Sequence, residues 1–408
     1  MTHHVALALV FVLLAVPASG AELLCTITVE AGKHTRVDTP ITVPLEGRLK
    51  EIATSSCVVQ ESSSGQGVAV PHQIEAGPSP RLCFILSGTT PAGATRSFLV
   101  AFAAAPPTTA PAAAVKQDDK GLDVTVAGRQ VLRYHTAMVD PPEGIDKTYT
   151  RNAYIHPAWT PSGLVVTDDF PSDHKHQRGI WFSWTKTEFE GRHPDWWNMK
   201  GAAIRFTKMG PTASGPVFAS FQPHHAHLDL AAPGGEKAVL NEVWDIRVWN
   251  VGGPEAGYRL WDMVSTQRCA SDSPLTLPQY FYGGQGFRGS RQWDKNVDMR
   301  TSAGKTRKDG NETKARWFDV SGLVDGKRAG CLILIHPTNF RYPQPLRLNP
   351  KNPQTCIAPS QEGPWEIKPG TDYVSRYRFC IHDGNMTDET AERLWADFAE
   401  PPVVKVSK

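Results

Sequence analysis

No two of the seven cysteines in this 408-residue chain form a C-x-x-C pair, which argues against a cysteine zinc site or a thioredoxin-like redox motif. Beyond Ala18 no stretch approaches the roughly 18 consecutive apolar residues that a membrane helix needs, so the rest of the chain reads as soluble with no membrane span. Neither sign of charge prevails. The formal net charge is +2 with acids and bases interspersed, and this points away from a nucleic-acid partner or an acidic tail. Helical periodicity is nearly absent, and no repeat with a period of roughly 20–50 residues is visible.

The one long apolar run is at the start. Val5 to Val16 is followed by Pro17 and the small residues Ala18-Ser19-Gly20, the layout of a secretory signal peptide over residues 1–20. Leu24 is too large to precede a lipidated Cys25. The chain is therefore expected to be exported, to the periplasm or the extracellular space. In that oxidising setting one or two disulfides are expected within the halves of the chain, and the odd thiol is expected to be a buried small hydrophobe.

What is abundant is strand-like text. Residues 21–102 carry short Val/Ile/Leu/Thr segments such as Thr26-Ile27-Thr28-Val29 broken by Gly, Pro and Ser, the pattern of a small β domain. A Pro/Ala/Thr tract follows, and residues 103–118 are read as a linker. Over 119–387 strands recur at short intervals. In Glu242-Val243-Trp244-Asp245-Ile246-Arg247-Val248-Trp249 alternate residues present two different faces. The fold class is all-β, with a large antiparallel sandwich over 119–387. Residues 388–408 hold one helix and a tail. Asp388 is placed to cap Glu389 to Ala399, and Ala391, Leu394, Trp395 and Phe398 make the apolar stripe that packs it on the outside of the sandwich.

The chemistry concentrates in Asp168-Asp169-Phe170-Pro171-Ser172-Asp173-His174-Lys175-His176-Gln177-Arg178-Gly179, which leads onto Ile180-Trp181-Phe182-Ser183-Trp184. In an extended segment residues i and i+2 point the same way, so His174 and His176 are expected to converge. Three readings stand. The histidines carry protons or bind substrate, with carboxylates tuning them; or they hold a metal ion, for which they are the candidates; or the stretch is a polar turn that satisfies its own backbone.

Other candidates lie elsewhere in the chain. His336 ends the apolar strand Cys331-Leu332-Ile333-Leu334-Ile335, as a group delivered to a sheet rim or as a core histidine. Glu242 is a base if it faces the site and surface decoration if it faces water. Tyr280 to Arg288 alternates aromatic and polar groups and relaxes at glycines, where a ligand or another backbone can come close, or where the strand merely bulges. His224-His225-Ala226-His227 reads as an exposed hairpin end. Tryptophans such as Trp181, Trp184, Trp197 and Trp244 gather in the large domain, and flat aromatic faces between Asp, Arg and His suit the C–H faces and hydroxyls of sugars.

At these residues the chain resembles a bacterial family labelled "methane oxygenase PmoA" or left as a domain of unknown function. The matching pieces are Arg151 to Pro157, Thr160-Pro161-Ser162-Gly163, Asp173-His174-x-His176-x-Arg178-Gly179-Ile180-Trp181-Phe182, Tyr282-Gly283-Gly284-x-Gly286-x-Arg288, His336-Pro337-x-Asn339-x-Arg341 and Ile381-His382-Asp383-Gly384. Where such proteins usually carry a second histidine, this chain has Gln177. The label does not suit the chain, because membrane methane monooxygenase needs several spanning helices. The resemblance implies a β-supersandwich similar to sugar mutarotases, in exported proteins of polysaccharide-degrading bacteria. The first domain resembles the small β-barrel ahead of some exo-acting rhamnogalacturonan lyases.

These readings converge on an exported carbohydrate-active enzyme, a glycoside hydrolase or lyase or a sugar epimerase, acting on an oligo- or polysaccharide. Its site is expected on the concave face of the sandwich. His174, His176, His336 and Glu242 are the expected catalytic groups, and Arg178, Arg288 and Arg341 the expected holders of a carboxylate or sulfate. Asp173, Trp181, Tyr282 and Asn339 are further expected substrate contacts. No cofactor is required, although a divalent metal fits one reading. The rivals are a non-catalytic glycan-binding protein and a His-coordinated metalloenzyme.

Overall fold

The computed structural model describes residues 22–50, 52, 56–62, 67–103, 111–252, 257–294 and 296–407. The expected signal peptide lies outside the described residues. Alternating apolar and polar side chains set the small domain. Cys25, Ile27 and Val29 of the strand Leu23–Glu30 face Ile41, Val43, Leu82 and Phe84 across one core between a five-stranded and a three-stranded sheet.

The large domain is an all-β sandwich of a nine-stranded and an eight-stranded antiparallel sheet. Ile180, Phe182 and Phe287 of the nine-stranded sheet pack against Trp244, Ile246, Val248 and Trp261 of the eight-stranded sheet to form the main core. On the strand Ile180–Ser183 the alternation sends Trp181 the other way. It joins Tyr154, Trp197, Cys356 and Ala358 in a separate small core on the far face of that sheet.

Several expectations are corrected. Within the expected linker, Ala113–Gln117 is a strand that pairs with Gly121–Val126 at the end of the nine-stranded sheet; the prolines stop before it. The tail holds a further strand. Val403–Ser407 pairs antiparallel with Leu23–Glu30 and closes the five-stranded sheet of the first domain. No disulfide forms, and all seven cysteines are buried free thiols. Thr387 rather than Asp388 caps the helix Asp388–Ala399: its hydroxyl accepts the Thr390 N–H at 3.1 Å. The helix buries Ala391, Leu394 and Trp395 against Leu332 and Leu334 on the outer side of the eight-stranded sheet. Asp397 on this helix pairs with Arg36 of the small domain at 3.0 Å. Among the described residues no helix is long and apolar enough to cross a membrane.

The histidine run 224–227 is not a hairpin end. It lies inside the strand Phe218–Asp229, with His225 and His227 buried to 2% and 0% exposure. A strand can bury such a run because its inward positions here meet a carboxylate instead of hydrocarbon.

Candidate active site

The acid-rich segment folds as a loop because each of its three carboxylates meets an arginine. Arg291 donates to Asp168 at 2.6 Å. The fully buried Arg178 binds Asp169, donates to the Tyr154 hydroxyl at 2.7 Å and to the Tyr149 carbonyl at 2.9 Å, and stacks on Phe170. Arg288, also fully buried, donates to Asp173 at 3.0 Å and to the Gln177 side chain at 2.9 Å. Buried guanidinium groups with several acceptors are rigid anchors, so most of the charge in the segment builds the loop rather than the chemistry.

The two histidines do converge, with ring centroids 5.6 Å apart. The cause is not an extended strand. The Gln177 N–H donates to the His174 carbonyl at 2.9 Å, closing a turn that brings both rings to one side. His174 Nδ1 lies 2.9 Å from Asp173, whose same oxygen accepts the Asn352 amide at 2.6 Å. Burial alone would raise the Asp173 carboxyl. The His174 hydrogen bond and the Arg288 charge outweigh it and hold the group well below the usual carboxylate range. With its Nδ1 proton directed at Asp173, His174 is left with Nε2 as its reactive nitrogen. His176 is lowered to about 3, first by burial and then by the neighbouring His174 and Arg151, so it is uncharged near neutrality.

Both rings line a cavity of about 180 Å³ on the face of the nine-stranded sheet turned away from the main core. Trp197 and Tyr282 form an aromatic wall with ring centroids 5.4 Å apart, and Asn198 donates to the Tyr282 hydroxyl at 3.1 Å. Phe281, 40% exposed, stands at the edge beneath Arg347. Gln177, Asn349 and Gln354 complete the lining. Imidazoles, amides and flat rings in one hollow provide proton transfer, hydrogen bonding and stacking together.

Of the residues expected at the site, His174, His176 and Tyr282 line this cavity and Asp173 anchors it. Arg288 acts through Asp173. Arg178 is engaged within the loop. Trp181 is buried under Trp197, and its strand partner is Gly286, where a Cβ would collide with the indole. The close approach marked by this glycine is therefore Trp181, not a ligand. Arg341 donates to the Pro359 and Gly363 carbonyls, and Asn339 bonds Gln344 and the Arg376 backbone. Both hold loops.

His336 and Glu242 are elsewhere. His336 faces Phe398 in a larger hollow of about 480 Å³ between the small domain, the helix and the eight-stranded sheet. Arg378 pairs there with Asp262 and Asp397 with Arg36, and His336 is the one imidazole on its wall, so the smaller cavity with its two imidazoles is the stronger chemical site. Glu242 is fully buried in the main core and accepts five hydrogen bonds. These come from Trp244, Ser265, Gln267, His227 at 2.8 Å and His225 at 3.4 Å. Among the described residues no three His, Cys, Asp or Glu side chains are grouped so as to hold a metal ion.

Sequence reasoning did not single out Asn198, Arg347, Asn349, Asn352 or Gln354 as site residues. They come from separate loops and from the ends of neighbouring strands, and no local pattern marks them. The residues 121–396 match the model named "Family of unknown function (DUF6807)", and the chain belongs to that family. No curated protein matches the chain.

Proposed function

We propose that this member of a family of unknown function is an exported saccharide-active enzyme that works by proton transfer between an imidazole and the sugar. The observation that carries the reading is the pair itself: an Asp173-anchored His174 and an uncharged His176, 5.6 Å apart, in an aromatic-walled cavity. His174, held by Asp173 at Nδ1, takes at Nε2 a proton from a sugar carbon or hydroxyl and returns it to the leaving or re-forming bond, and the uncharged His176 ring hydrogen-bonds the sugar beside it. The aromatic faces of Trp197, Phe281 and Tyr282 suit the C–H faces of a sugar ring.

Hydrolysis of the usual kind needs two carboxyl groups facing the scissile bond. The cavity wall offers imidazoles and amides and no carboxylate, which favours elimination or epimerisation over two-carboxylate hydrolysis.

The test is an oligosaccharide panel assayed for new reducing ends, unsaturated products and epimers. His174→Ala is expected to lower the rate by roughly 10²–10⁴-fold, as loss of a general acid or base does, and His176→Ala to lower it less. Activity retained in both variants would sink these roles. Binding without any product would favour the non-catalytic glycan-binding rival.

A further inference from the structure

Three arginines beneath the cavity are neutralised by carboxylates; Arg151 is not, but it is buried and faces the His176 carbonyl at 3.4 Å. Arg178 meets Asp169, Arg288 meets Asp173 and Asp294, and Arg291 meets Asp168. Arg347 is different. It extends from the strand Gln344–Leu348 to the cavity wall, lies over the Phe281 ring at 5.2 Å, and donates from Nη1 to the Asn311 side-chain carbonyl at 3.0 Å. Among the described residues no carboxylate pairs with it. Beside it Gln354, only 3% exposed, has a side-chain amide nitrogen without a partner. A half-buried guanidinium without a counter-charge, next to an idle donor and with no acid on the wall, is a site for an anion.

We propose that Arg347 is the specificity-determining residue of this cavity and that its ligand is an acidic saccharide, one bearing a carboxylate or a sulfate. This rests on the saccharide reading above. It replaces Arg178, Arg288 and Arg341, whose donors are turned inward, with a guanidinium that still has donors to offer. The Phe281 ring holds the guanidinium plane from one side and Asn311 fixes one edge, so the remaining N–H groups meet the anion pre-oriented.

The experiment measures binding by calorimetry to matched ligands: a uronate-terminated oligosaccharide, its methyl ester, an O-sulfated oligosaccharide and the unsubstituted neutral one. Wild-type protein is expected to bind at least one anionic ligand roughly tenfold or more tighter than its neutral counterpart, the least that a charge-assisted hydrogen bond contributes, and added salt is expected to shrink the gap. Which of the uronate and the sulfate shows the gap identifies the anion. Arg347→Gln is expected to bring the acid down to the affinity of the neutral ligand. Arg347→Lys, which keeps the charge and loses the fork, is expected to fall between them and guards against misreading a folding defect.

Equal binding of acidic and neutral ligands, or a preference that survives in Arg347→Gln, would overturn the assignment and leave the saccharide reading intact. No binding of any of the four ligands would overturn both.

Discussion

Two carboxylate–histidine systems, built from the same residue types, have opposite fates in this molecule. Glu242, with His225 and His227, sits where the two sheets face each other. His225 Nδ1 is directed at Glu242 and its Nε2 accepts the Tyr134 hydroxyl at 2.6 Å, so Glu242 and His225 are tied to protein groups on both sides. Burial works against the Glu242 charge, but the His225 and His227 hydrogen bonds hold it well below the usual carboxylate range. Asp173 with His174 and His176 sits at a cavity. There the carboxylate is saturated, while His174 Nε2 and the His176 ring are left to the hollow. A buried acid–histidine cluster whose carboxylate is saturated, and whose one unpartnered nitrogen, His227 Nδ1, is sealed in the core, is a structural centre; one whose imidazole nitrogens remain free beside a cavity is a reactive one.

Reducing the core carboxylate tests the first half of this contrast most severely. Glu242→Ala strands the donors of His225, His227, Trp244, Ser265 and Gln267, and it is expected to lower unfolding stability by about 3–5 kcal/mol, the range for breaking a buried charge network. Urea denaturation with a shifted midpoint would show it, and a midpoint unchanged from wild type would show that the network is not structural.

Asp173→Asn is the counterpart at the cavity. It keeps the shape but takes away the acceptor that orients His174, so catalysis is expected to fall by roughly 10²–10⁴-fold with the pH profile altered. The fold is expected to persist, measured by near-UV circular dichroism. A rate loss with an unchanged pH profile would reduce Asp173 to a packing role.

The proton on His176 gives a smaller effect of known sign. The native ring is lowered to about 3 from an ordinary 6.5, while the unfolded chain takes up the proton near 6.5. Its contribution to stability is therefore complete above about 6.5 and is lost as the pH falls from there toward about 3. His176→Gln is expected to flatten the stability slope across that window in denaturation series at several pH values. Imidazole NMR of the wild type is expected to show no titration of His176 between about pH 5 and 8. The smallest effect sets a baseline. Thr387→Ala removes a helix cap that touches neither histidine system, and it is expected to lower stability by about 1 kcal/mol with the rate unchanged.

The fold class was legible because alternation with a period of two is a local property. Lys237–Trp249 buries Trp244, Ile246 and Val248 on one face, as its spelling implies, and Glu242 lies buried with them. The helix stripe of Ala391, Leu394 and Trp395 was legible for the same kind of reason. Among site residues, His174, His176 and Tyr282 could be picked out because unusual side chains crowd together in sequence. The arginines misled because a guanidinium near histidines looks the same whether its partner is a ligand or an aspartate of the same loop. His225 and His227 misled because Gln222-Pro223 and the later glycines suggest a turn, whereas pairing with Lys237–Trp249 and Ala202–Ala213 keeps the run in a sheet.

The order of residues alone determined that this chain alternates into strands, that it carries one amphipathic helix after them, and that one short segment gathers acids, imidazoles and aromatics. Those properties depend on neighbours a few positions away. Only the tertiary structure decided which histidines are sealed and which are open, that Val403–Ser407 completes the first domain's sheet, and that Arg347 rather than Arg178, Arg288 or Arg341 offers free donors at the cavity. The reason is that burial and the availability of a partner are set by residues far apart in sequence. Whether a guanidinium or an imidazole is occupied is a fact about what the folded sheets bring beside it.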